Sequence, residues 1–134
     1  MQELAVVLRT AQLVAHNYHN KVFGPSFLAD HEYLGELYPA YEGEYDSVVE
    51  RIVGLGLECD LPAVTQLAGE RAAKYDPYDR AADEMFSDLL GLERQIQQWA
   101  TDFNKKASLG TQNLLQGIAD ASEMRCYKLK QRIK

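Results

Sequence analysis

Leu4, Val7, Leu8, Ala11, Val14 and Ala15 stand three or four residues apart, the spacing that lines one side of an α-helix with apolar groups. This first helix is expected to end near Phe23, because Gly24-Pro25 breaks helical structure. Ser26 can cap a second helix running from Phe27 to about Val53, with its end marked by Gly54-Leu55-Gly56. Gly35 and Pro39 lie inside it. Proline has no amide hydrogen and crowds the carbonyl four residues earlier, so a kink is expected near Gly35. Asp60 and Pro62 predict a short helix to about Ala68. Asp76-Pro77 predicts the start of a third long helix, whose stripe of Leu89, Leu92, Ile96, Trp99 and Phe103 extends to about Ala107. Leu109-Gly110 reads as a break, with Thr111 capping a last helix that carries Leu114, Leu115, Ile118, Met124 and Leu129. No segment alternates in the manner of a strand. Four long helices and one short one predict an all-α bundle.

Composition narrows this further. With 46% hydrophobic and 25% charged residues, the chain fits a folded globular protein. Its 134 residues, free of repeats, low-complexity tracts and linkers, read as a single domain over 1–134. No apolar run reaches the roughly 18 residues of a membrane span, and the N-terminus has no secretory leader pattern. A cytoplasmic location is therefore expected. Cys59 and Cys126 are far apart and lack metal-site spacing, which makes them reduced thiols. The net charge of −6 favours cations over the phosphate backbone of nucleic acid. The one basic stretch, Lys128 to Lys134, reads as cations complementing a helix C-terminus.

Candidate chemistry lies in the first fifty residues. The histidines are His16, His19 and His31, while Asp46 and Glu50 are four apart on one face of the second helix. Imidazole nitrogen and carboxylate oxygen together suit iron, zinc or manganese. His31, however, precedes Asp46 by nearly four turns, more than about 20 Å at ~1.5 Å per residue. One copy of the helix cannot bring them to one ion; a second copy, antiparallel, can. Taken separately, an acidic pair is usually a solvated face and a lone histidine is usually no ligand.

Their joint spacing resembles a known family. The segment His19-Asn20-Lys21-Val22-Phe23-Gly24-Pro25-Ser26-Phe27, then His31, then Asp46-Ser47-Val48-Val49-Glu50-Arg51, then Gly54-Leu55-Gly56 is similar to the Dps family of mini-ferritins. Gly110-Thr111, Leu114-Leu115 and Glu123, Tyr127 and Leu129 resemble that family's last helix. The resemblance implies a ferritin-like four-helix bundle with a short helix between helices two and three. It further implies that His19 and His31 of one subunit face Asp46 and Glu50 of a two-fold mate. These four residues would bind iron, with zinc or manganese as substitutes, and form the catalytic ferroxidase centre. Glu50 would ligate or bridge the main iron, with Asp46 beside it. Twelve copies, built from two-fold dimers, would form a hollow shell that oxidises Fe(II) with peroxide or dioxygen, stores the ferric product and protects against oxidative stress. Other ferritins use Glu-x-x-His pairs inside one bundle; here Leu13, His16 and Leu28 stand three before the histidines, so that arrangement is ruled out.

Four departures qualify the resemblance. Gly35 stands where the family usually carries an Asp, leaving water or Glu36 to serve a second iron position. Asn20 replaces a tryptophan able to donate an electron, with Tyr18, Tyr38 and Tyr45 as available replacements. Leu109 to Asn113 lacks the acidic residues that line the family's pores, for which Asp120 and Glu123 are the substitutes. The lysine-rich N-terminal tail by which some members bind DNA is absent, so weak or no DNA binding is expected. His16, one turn before His19, suits a supporting role. The alternative to a ferroxidase is a shell protein that binds metal without efficient turnover, in a structural role; the alternative to both is a plain bundle with accidental spacing.

Overall fold

The computed structural model describes all residues 1–134. It contains α1 (Gln2–Lys21), α2 (Phe27–Gly54), α3 (Leu61–Ala72), α4 (Ala82–Asn104) and α5 (Leu109–Arg132), with one 3₁₀ turn at Pro77–Asp79 and no strand. Four long helices with a short α3 between the second and third give the expected ferritin-like arrangement. α1 packs on α2, and α4 on α5; the two hairpins meet chiefly through α1 and α4, while α3 lies against α1. No helix is long and apolar enough to cross a membrane.

The apolar stripe of α1 makes the core. Leu4, Val7, Leu8, Ala11, Val14 and Ala15 are all buried. α1 ends at Lys21, close to the expected place, and Gly24 takes φ +118, a conformation that favours glycine. α2 continues through Pro39. It stops where Gly56 adopts φ +74 and the Leu57 N–H reaches back to the Ile52 carbonyl. Asp60 caps α3 by accepting from the Ala63 N–H at 3.0 Å.

Two boundaries differ from expectation. Asp76 does cap a turn, accepting from the Tyr78 N–H, but that turn is only the 3₁₀ segment. Arg80 then becomes extended, because its guanidinium is tied to the Asp76 and Lys74 carbonyls and to Asp88. The long helix therefore starts at Ala82, with the Glu84 carboxylate accepting from the Ala81 N–H. At the last helix, Leu109-Gly110 is not a break. Ser108 stands at the N-cap position and its carbonyl accepts from the Gln112 N–H. Gly110 is the second residue of the helix, and the conformational cost of glycine is that of a helix interior, so it is tolerated there. Thr111 is buried instead of capping, with its hydroxyl accepting from Arg51.

α5 also departs from its expected stripe. Leu115, Ile118 and Leu129 are buried, but Met124 is 56% exposed and its neighbour Arg125 turns inward.

Candidate metal centre

The histidines lie where α1 ends and α2 begins. α1 offers carbonyls in its last turn that have no intrahelical donor. One is filled by a side chain: His31 Nδ1 lies 2.8 Å from the His19 carbonyl oxygen. The contact is returned, with His19 Nδ1 2.8 Å from the His31 carbonyl oxygen. A carbonyl only accepts, so both Nδ1 atoms donate. A ring that carries its single proton on Nδ1 has its Nε2 lone pair left for a ligand, which is how outer partners commonly set a metal-binding imidazole. The two rings stack at 3.9 Å between centroids.

Other rings extend this stack. Phe27 lies on His31 at 5.0 Å. Tyr38, on α2, stacks on His16 at 4.0 Å and stands tilted to His19 at 5.5 Å. Of the three candidate tyrosines, only Tyr38 is beside the histidines. Tyr18 is buried and donates to Asp88 at 2.6 Å, and burial raises its pKa far above the phenol range. Tyr45 is covered by the Arg9 guanidinium at 3.7 Å. Gly35 faces the ring of His19, and a Cβ added there would stand 3.0 Å from His19 Cε1.

Asp46 and Glu50 are exposed toward the far end of α2. Because α2 is one helix from Phe27 to Gly54, His31 and Glu50 are separated by about 28 Å at ~1.5 Å per residue. The fold brings the two histidines together and the two carboxylates together, and it keeps the pairs apart. Within one chain no group of three or more His, Cys, Asp or Glu can hold a metal.

The bundle interior holds a second polar cluster that the sequence reading did not single out. Glu93 on α4 is fully buried and receives Tyr41 at 2.7 Å, Ser122 at 2.8 Å and the Arg125 guanidinium. Arg125 also forks onto Glu44 with two contacts of 2.9 Å. Burial pushes the Glu44 carboxyl above its ordinary range, against the pull of Arg125. Burial also opposes the Arg125 charge, but Glu44 and Glu93 together outweigh it and raise its pKa. Here Arg125 is already the cation of the carboxylate pair, so the interior has no vacancy for a metal. The available signal was Glu93 itself, a carboxylate in step with Leu89, Leu92 and Ile96 on an apolar stripe.

At the C-terminus, Arg132 grips buried Asp30 through two contacts of 2.8 Å and Asp83 at 2.7 Å. One cation of the basic run is thus committed within the chain.

No family model matches the chain. It is similar to a DNA protection during starvation protein from Brevibacillus brevis, 28% identical over 147 aligned positions that cover 97% of this chain and 95% of that protein.

Proposed function

We propose that the protein is an iron-binding ferroxidase and storage protein of the Dps type, working at a centre shared between two subunits of a hollow homo-oligomer. The observation that carries this is the His19–His31 pair, whose two Nδ1–H groups are spent on backbone carbonyls and whose Nε2 atoms are free to ligate. The near-full-length similarity to a DNA protection during starvation protein supports it. So does the placement of Asp46 and Glu50, exposed at the other end of the same helix. An isologous pair of antiparallel α2 helices sets each copy's histidines against the other's acids, giving two equivalent sites per dimer.

Fe(II) is the substrate. Two neutral imidazoles and two carboxylates suit a divalent transition ion, and the anionic oxygens favour Fe(III) once it forms. Each Fe(II) gives up one electron. Hydrogen peroxide accepts two electrons and two protons and leaves as two waters, so two iron ions are consumed per peroxide. Tyr38 is the oxidisable ring nearest the histidines.

A soak of the crystallised assembly with Fe(II), with anomalous scattering at the iron edge, is expected to place metal between His19 and His31 of one subunit and Asp46 and Glu50 of its mate. Stopped-flow mixing of the same protein with Fe(II) and peroxide is expected to run well above the uncatalysed rate. A monomer under all solution conditions, or an antiparallel pair with histidines and acids turned apart, defeats the reading. A second reading is favoured by Gly35, which supplies no carboxylate: a shell that binds metal without efficient turnover. Bound iron with no fast oxidation selects it.

DNA binding is expected to be weak. The chain carries −6, and Arg132 is held by Asp30 and Asp83. Supercoiled plasmid should run unretarded with the protein at about 150 mM salt, where phosphate contacts are weakened. Retardation that disappears when the exposed Lys128, Lys130 and Lys134 are changed to Gln contradicts this.

A further inference from the structure

We infer that Gly35 is a positioning residue for the metal centre: its missing side chain is the space in which the His19 ring lies. This deepens the proposed function and rests on it. His19 comes from the last turn of α1, and its ring crosses to α2, where its Nδ1–H reaches the His31 carbonyl. To make that bond while stacking on His31 at 3.9 Å, the ring must lie close against the α2 backbone. Gly35, one turn after His31, is where it lies. A Cβ at this position would stand 3.0 Å from His19 Cε1 and 3.3 Å from His19 Nδ1. Ordinary van der Waals contact does not allow the shorter distance, so the ring must move.

The ring has little freedom to move and keep its role. His31 holds it on one face, and Tyr38 stands at 5.5 Å. A shift of a few tenths of an ångström off Gly35 displaces Nδ1 from its 2.8 Å contact with the His31 carbonyl. The bond that sets the His19 tautomer and aims its Nε2 is then weakened and re-aimed, although every ligating residue is still present. The glycine is also costly to keep. In the middle of a 28-residue helix, glycine is a poor helix former and alanine is normally an improvement. Its presence is accounted for by the ring that takes the place of a side chain.

The test is Gly35→Ala, made in the wild-type chain and in a His19→Ala chain. Where the ring is gone, alanine should raise the thermal midpoint as it does in ordinary helices; where the ring is present, the gain should be absent or reversed. The crystal structure of metal-free Gly35→Ala should show the His19 ring displaced from α2 by a few tenths of an ångström, with its Nδ1 contact to the His31 oxygen distorted from the wild-type 2.8 Å. Titration of the assembled protein with Co(II) alone, followed by its visible absorption, should give an affinity at least about tenfold lower than wild type, the range for lost orienting partners of a ligand. An equal rise in thermal midpoint in both backgrounds, or an unchanged His19–His31 contact with unchanged Co(II) affinity, overturns the inference. If the wild-type protein takes up no Co(II), the metal reading falls. The role of Gly35 as space for the ring is then decided by the thermal and crystallographic arms.

Discussion

Glu50→Gln is expected to bring Fe(II) oxidation down to near the uncatalysed background while the particle stays assembled. The amide keeps the shape of the side chain and removes the anion. A neutral oxygen compensates neither the charge of Fe(II) nor the larger charge of Fe(III). Loss of a group that merely orients a metal ligand typically costs 10–100-fold, and loss of a ligand itself should reach at least the upper end, on the order of 100-fold. Glu50 is exposed on α2. Exposed substitutions usually change stability by no more than about 0.5 kcal/mol, so the folded subunit is not at risk. Stopped-flow rates, read beside light scattering to verify assembly, check both halves of the expectation. An oxidation rate equal to that of wild type removes the proposed site. His31→Ala should lose activity to a similar degree, with an added stability cost of about 1 kcal/mol, since its ring also satisfies the His19 carbonyl.

The second large effect concerns the interior. Arg125→Met should be among the most destabilising single changes in the protein. It leaves Glu93 fully buried, with Tyr41 and Ser122 as donors and no cation. Breaking a buried ion pair by removing one partner costs about 3–5 kcal/mol, because the remaining charge stays out of water. The sign is testable through the double variant. Adding Glu93→Gln to Arg125→Met takes away the more deeply buried of the two carboxylate charges left without Arg125 and keeps an oxygen for Tyr41 and Ser122, so much of the loss should return although Glu44 stays unpaired. Chemical denaturation of the two variants and the parent at equal protein concentration measures this. A single variant within about 1 kcal/mol of the parent, or a double variant worse than the single, would show that Arg125 does not compensate Glu93.

The same cluster marks the limit of reading helices from apolar spacing. On α1 every residue of that spacing, Leu4, Val7, Leu8, Ala11, Val14 and Ala15, is buried, and the packed face is wider than the stripe, taking in Ala5, Val6, Thr10 and Tyr18 as well. On α5 the apolar Met124 faces out and Arg125 faces in. The three- and four-residue spacing from Leu115 and Ile118 to Leu129 passes through Ser122 and Arg125 and leaves Met124 outside, but only Glu44 from α2 and Glu93 from α4 make a buried guanidinium there acceptable. The turn at Pro77–Asp79 makes a related point. The Asp-Pro signal did start a helical turn, but Arg80 pulled the chain extended by bonds to carbonyls and to Asp88.

By sequence alone, the helix count, the α1 stripe, the breaks at Gly24 and Gly56 and the shared helix of His31, Asp46 and Glu50 were determined. These depend on local backbone preference and on spacing along one chain, which a sequence carries directly. Only the tertiary structure decided that His19 and His31 exchange ring-to-carbonyl bonds, that the His19 ring rests on Gly35, and that Arg125 satisfies the interior carboxylates. Each of these joins atoms from different helices at hydrogen-bond or van der Waals range. Such contacts depend on how helices approach and rotate against one another, and no residue pattern within a single helix specifies that.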